Sequence, residues 1–353
     1  MNQEILQLGV VGCGAIAQFV HLPALTRTRR VRLSALCDSS EDLLVALGRK
    51  TGCSQLYASY EQLLVDSRVQ AVLIAVPDPF HVALAAQALR AGKHVLVEKP
   101  LGVSSAECRE LVALVRQSGL KLQVGSMKRH DPGLAYARQF IEQRAGRIFS
   151  VAGVYRDTLF RPAMQESCLA PPIAADSPER TASDYKQNRE RYNLWTQGAH
   201  LFDTLRFLAG DITAVTVQVA RNGGQFTWHG LAEFAGGGCG HFELTCKSCG
   251  DRWEQYTVYG ESGSVDVRVG LPFYHRPAQV QAFDGGTQQW SCPLGGHSNA
   301  YVNQLEAFGE AIFHDRPTSP DAADGLAVVR LLECVEASIR EGIRVEVPPN
   351  EAL

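Results

Sequence analysis

The chain has 353 residues, 45% of them hydrophobic and 20% charged, with 34 Lys plus Arg against 37 Asp plus Glu and a formal net charge of -3. That composition is globular, with room for two domains at roughly 100–200 residues each, and it lacks the basic excess a nucleic-acid binder needs. No apolar run reaches the ~18 residues of a membrane helix, and the first eight residues are too short and polar for a signal peptide. A cytoplasmic protein with neither nucleic-acid nor membrane partners is expected.

Up to about residue 125, short apolar runs alternate with amphipathic stretches. The runs cover 5–11, 31–37, 71–76, 94–97 and 121–124, and helical spacing marks 16–27, 42–51, 80–91 and 104–118. Strand and helix in alternation predict an α/β doubly wound parallel sheet over residues 1–125. After Asp131-Pro132 the rhythm changes. A helix at 134–143 leads to a strand at 148–155, a long polar segment at 156–193, and a second helix at 198–209. Glycine-broken strands from 215 to about 290 follow, then helices at 299–314 and 322–340. Residues 126–353 are therefore expected to form an α+β domain on one mostly antiparallel open sheet, whose C-terminal helices have the option of packing back on the first domain. The ten cysteines are scattered, and Cys246-Lys-Ser-Cys249 has no second ligand pair. Buried free thiols are expected rather than zinc or disulfides.

Gly12-Cys13-Gly14-Ala15-Ile16-Ala17 follows an apolar run and opens a helical one. Gly12 permits the tight turn, Gly14 lets backbone amides approach a pyrophosphate, and Ala17 takes the third small position. The helix start then faces an anion with unpaired N–H groups, as in a Rossmann-type domain. Asp38, 24 residues beyond Gly14, ends the next run where a carboxylate would hold ribose hydroxyls. That carboxylate would repel a 2′-phosphate, so NAD is preferred over NADP. Read alone, the same residues also suit a turn with paired glycines and a helix-capping Asp.

Val97-Glu98-Lys99-Pro100 places a charged pair at the end of another apolar run. In an open α/β sheet that edge binds ligands, and a part-buried lysine there is expected to have a lowered pKa. A proline after the strand fixes a tight turn, with a cis peptide as one option, that aims the lysine. The plain alternative is a solvated charged pair.

With GCGAIA at 12–17, Asp38, Val76-Pro77 with His81, Glu98-Lys99-Pro100 and Gly198-Ala-His-Leu-Phe-Asp203, the chain resembles the Gfo/Idh/MocA oxidoreductases over nearly its whole length. The resemblance implies a nicotinamide cofactor bound by Gly12, Gly14, Ala15, Ile16, Ala17, Asp38, Pro77, His81, Glu98 and Lys99. It implies Lys99 and His200 as the proton-transfer groups, with Asp203 one turn on from His200. Many relatives carry an aspartate four residues before that histidine, where this chain has Thr196, so the His/Asp relay is incomplete. Read alone, Asp78 to His81 is a helix start capped by Asp78.

The 156–193 segment is expected to be a lid or specificity loop, since long structureless connections are usually functional or disordered. Its polar groups include Arg156, Asp157, Arg161, Asp184, Tyr185, Lys186, Asn188, Arg189 and Arg191, which suit a polyhydroxylated ligand. Lys128, Arg129 and His130 are expected to face the ligand, and Lys128, Tyr155, Arg156, Thr196 and Asp203 complete the substrate set with Lys99 and His200. No metal is expected. The expected activity is hydride transfer between NAD(P) and a secondary hydroxyl of a sugar, glycoside or inositol, in a homodimer or homotetramer. A non-catalytic dinucleotide-binding regulator and an NADPH-dependent carbonyl reductase are the alternatives.

Overall fold

The computed structural model describes residues 4–175 and 187–349. They form two compact units. The first comprises the described residues up to Met127, those from Leu169 to Ala175, and Tyr301–Val329; the second comprises Lys128–Cys168, the described residues from Gln187 to Ala300, and those from Arg330 on.

In the first unit, β1 (Leu6–Val11), β2 (Val31–Cys37), β3 (Leu56–Tyr57), β4 (Ala71–Ile74), β5 (His94–Val97) and β6 (Leu122–Val124) make a parallel sheet in the order β3-β2-β1-β4-β5-β6. The order reverses between β1 and β4, the position where such sheets open a crevice at their carboxyl ends. Central strands are buried on both faces, hence the uninterrupted Ala71-Val-Leu-Ile74 and Val95-Leu-Val97 runs. Two helices of the unit, Glu41–Thr51 and Ser105–Ser118, begin on side-chain caps: Ser40 accepts from the Leu43 N–H and Ser104 from that of Glu107. The short β3 and the helix Tyr60–Val65 escaped the sequence reading because each is too short to show a period. The helix after the glycine loop contains a π-turn at Ala17–His21 before an α-turn at Leu22–Leu25.

The second unit is built on a nine-stranded sheet, in the order β14-β13-β12-β11-β7-β10-β9-β8-β15. Its inner strands are β7 (Ile148–Thr158), β8 (Ile212–Asn222), β9 (Gln225–Phe234), β10 (Cys239–Ser248), β11 (Trp253–Gly260), β12 (Gly263–Arg268) and β13 (Gln279–Asp284); β14 (Gln289–Ser291) and β15 (Val345–Glu346) form the edges. All pairs are antiparallel except β7 with β10. Along β7, Val151, Gly153, Tyr155 and Asp157 point inward, and the alternate residues point out. The helix Arg189–Ala209 lies on the inner face against β7 and β10, and the helix Pro132–Phe140 packs against β12 and β13.

The long polar segment departs from expectation. β7 runs on to Thr158, a helix occupies Arg161–Cys168, and the Asn188 side chain accepts from the Arg191 N–H to start the 21-residue helix nine residues earlier than its apolar pattern suggested. Asp184, Tyr185 and Lys186 lie outside the described residues. All ten cysteines are free thiols; Cys168, Cys239, Cys249 and Cys292 are exposed, so burial holds for only part of the set. Among the described residues no helix is long and apolar enough to cross a membrane.

Candidate active site

Parallel strands bring their carboxyl ends to one edge, so the turns after β1, β4 and β5 lie together in the first unit. Gly12 has φ +86°, and a Cβ there would lie 2.7 Å from the Ala75 carbonyl oxygen, so only glycine fits. A Cβ on Gly14 would meet nothing within 4 Å. That opening, before the start of a helix, suits the close approach of a pyrophosphate to backbone amides. Ala17 is fully buried, as the third small position requires. Asp38 binds the loop itself: one carboxylate oxygen accepts from the Cys13 N–H at 2.7 Å and the other from the Ser40 N–H at 3.0 Å. Each oxygen keeps a lone pair for a ribose hydroxyl, so the residues present fit a dinucleotide.

Gln18 was not foreseen. Its amide donates to the Cys13 and Ile173 carbonyls at 3.0 Å each, while the Ile173 N–H donates back at 2.8 Å. It ties the glycine loop to the strap at Leu169–Ala175, and only its place in the first helical turn hinted at this.

Glu98 is buried, and its carboxylate meets His21 Nε2 at 2.8 Å while accepting from the Lys99 N–H at 3.2 Å. Burial pushes its pKa up, but the His21 bond and the charges of Lys99 and His81 outweigh that and hold it below the usual carboxylate range. The Lys99–Pro100 peptide is cis. His81 is fully buried, with Nδ1 2.7 Å from the Pro100 carbonyl oxygen and Nε2 2.9 Å from that of Val76. It joins the turns after β4 and β5. Lys99 thus projects, half-buried, from a turn fixed by Glu98 and His81.

In the second unit a buried charge cluster underlies His200. Lys128 meets Glu254 at 2.5 Å, Arg252 pairs with the other oxygen of the same carboxylate, and the Tyr256 hydroxyl donates to it at 2.8 Å. Burial pushes Glu254 up, and the two cations outweigh it, so its carboxyl is held down. Lys128 and Arg252 also lie over the Tyr155 ring, 4.8 and 5.4 Å from its centroid. His200 stacks on that ring, with Thr196 one turn away, both half-buried on the helix.

Two family models cover most of the chain. The model described as "Oxidoreductase family, NAD-binding Rossmann fold" matches residues 6–126, and that described as "Oxidoreductase family, C-terminal alpha/beta domain" matches 193–347. The chain belongs to the Gfo/Idh/MocA oxidoreductases. Inositol 2-dehydrogenase 2 of Saccharopolyspora erythraea is 25% identical over 364 residues, 99% of this chain and 98% of that one. Inositol 2-dehydrogenase of Rubrobacter xylanophilus is 27% identical over 359 residues, covering 99% and 95%. The fold also matches levoglucosan dehydrogenase in complex with NADH, with a TM-score of 0.81 and 20% identity over 98% of this chain and all of the other.

In this family member several expected ligand groups are already engaged. His81 has no exposed surface for a cofactor, and Asp78 makes no side-chain cap, because the turn before the helix His81–Arg90 is a 3-10 turn. Glu98 faces His21 rather than an open edge; Pro77 and Ala15 are exposed and Ile16 is half-buried. Asp203 is buried under a two-point grip by Arg129, at 2.8 to 3.1 Å, so it does not face a ligand. Lys128 and Tyr155 are 5% and 2% exposed, which leaves them beneath the site rather than lining it. Arg156, next to Tyr155 on the strand, points to the opposite face and pairs with Glu243 at 2.5 Å. Arg161 binds Asp157, and Arg191 binds Glu336 from its helix.

Proposed function

We propose that this oxidoreductase is an NAD-dependent dehydrogenase that moves hydride between the nicotinamide and a secondary hydroxyl or ketone of a sugar, glycoside or inositol. The observation that carries the reading is Lys99, held by a fixed turn at the carboxyl edge that also bears the glycine loop. A nicotinamide supplies the hydride acceptor or donor when bound. The chain's own groups supply orientation and proton handling. The Lys99 ammonium polarises the substrate oxygen, and the His200 imidazole takes the hydroxyl proton or returns it. Thr196 cannot act as a charged relay partner, so proton transfer falls on these two residues.

The Asp38 carboxylate, fixed beside the loop, supports NAD over NADP by repulsion of a 2′-phosphate. The names of the relatives, inositol and levoglucosan dehydrogenases, support the polyol class. The outer face of the nine-stranded sheet, with Leu231 63% exposed between Thr216 and His241 of the neighbouring strands, is the surface we assign to a homodimer or homotetramer. The test is absorbance at 340 nm with NAD+ or NADP+ against inositols, free hexoses, 1,6-anhydrohexoses and alkyl glucosides. NADH formation with one class supports the reading. Silence across the panel, with NADH still bound, points instead to a regulator without turnover.

A further inference from the structure

His200 sits on the helix Arg189–Ala209, above the inner face of β7, and the strand residue beneath it is Tyr155. The two rings are nearly parallel, 7° between planes, with centroids 6.3 Å apart. The Tyr155 hydroxyl donates to Gln197 Oε1 at 2.7 Å, and Gln197 lies three residues before His200 on the same side of the helix. Gly153 makes the approach feasible. A Cβ there would lie 2.8 Å from Leu205 Cδ2 and 3.3 Å from Leu201 Cδ1, so the helix rests directly on this strand.

We propose that Tyr155 is the positioning residue for His200, setting the plane of the imidazole through its ring and the rotation of the helix through Gln197. The proposal rests on the proton-transfer role assigned to His200 above. An acid–base group works only within about 2.6–3.2 Å of the proton it moves, and a displacement of about 1 Å costs on the order of 100-fold in rate. A half-buried histidine on a helix has two side-chain torsions to restrain. The stacked ring limits one motion, and the tether to the preceding turn limits the other. Tyr155 is itself held in place, because Lys128 and Arg252 pack against its ring and share the buried Glu254 carboxylate. Burial pushes the Tyr155 phenol up to about 12, so the hydroxyl stays a hydrogen-bond donor and does not exchange the substrate proton itself.

The test uses the full chain with Tyr155→Leu, Tyr155→Phe, His200→Ala and the Tyr155→Leu/His200→Ala double substitution. Turnover is followed with NAD+ and the panel compound that the unsubstituted enzyme oxidises fastest. A histidine-selective 1H–15N spectrum, in which the His200 ring is assigned by its loss in His200→Ala, reads the imidazole without substrate. Tyr155→Leu is expected to lower kcat about 10- to 100-fold with KM within about threefold, and to move the His200 ring signals. Tyr155→Phe retains the stack and should recover most of that kcat. The double substitution should be no slower than His200→Ala alone, because the effect passes through the imidazole. Unmoved ring signals in folded Tyr155→Leu, additive losses in the double variant, or a rise in KM matching the fall in kcat would overturn the proposal. Should Tyr155→Leu fail to fold, Gln197→Met cuts the tether alone and must lower kcat by a smaller factor for the proposal to stand. Full kcat in His200→Ala would remove the acid–base reading and this inference with it, whereas loss there with unchanged Tyr155→Leu removes only the inference.

Discussion

The two units present chemistry in opposite ways. The parallel sheet works at its edge, where main-chain geometry does most of the positioning: a positive φ at Gly12, an opening at Gly14 and a histidine bonded to two carbonyls. The antiparallel sheet works on its face. There side chains distant in sequence, Tyr155 and Glu254 from strands with Lys128 and Arg252 from the turns beside them, form a buried base beneath one helix. An edge site depends on a few backbone conformations, so single Cβ atoms should break it. A face site depends on charge balance in a desolvated cluster, so a single neutralised group should break it.

The largest effect is therefore expected on the face. Glu254→Gln removes the buried carboxylate that Lys128 and Arg252 share, and should cost about 3–5 kcal/mol of unfolding free energy in a denaturant titration. A loss under about 1 kcal/mol would mean the cluster is not desolvated as the geometry requires. The same carboxylate gives the pH dependence. Its pKa is lower folded than unfolded, so its stabilisation is full above the ordinary value near 4.5 and fades as pH falls through the depressed one. Thermal melts should weaken on acidification below about 4.5, and Glu254→Gln should flatten that dependence.

At the edge, Gly12→Ala should cost about 1–3 kcal/mol through its φ, with further loss from contact with the Ala75 carbonyl. Gly14→Ala has neither problem in the free protein. It should leave the melting temperature unchanged and weaken NADH binding about tenfold by filling the opening. Equal effects of the two alanines would show that this opening is not where the cofactor binds. A shift of the same size is expected in cofactor choice: Asp38→Ser should raise the NADP-to-NAD ratio of kcat/KM about tenfold, or about 1.4 kcal/mol.

The same contrast decides what could be read from the chain. GCGAIA and Glu98-Lys99-Pro100 are local, and each lies next to a continuous apolar strand, so turn, helix start and lysine followed from spacing. The partner of Glu98 was hidden because a lone histidine at 21, inside a helical run, carries no sign of what it touches. On the face, the helix was read from residue 198, although Leu194 and Trp195 already continue its buried stripe and Asn188 caps it. The polar Arg189–Asn193 turn masked that start. Tyr155 and Arg156 were grouped as ligand residues, but neighbours on a strand point to opposite faces. Lys128 finds its counter-charge 126 residues away, a pairing no local pattern encodes.

The most direct test of the account separates cofactor binding from turnover on a single sample. Lys99→Ala should bind NADH, followed by fluorescence, within about threefold of the unsubstituted enzyme, while kcat for the best panel substrate falls about 10³-fold. Retained turnover in that variant, or turnover lost only in step with NADH binding, would contradict Lys99 as the group that polarises the substrate.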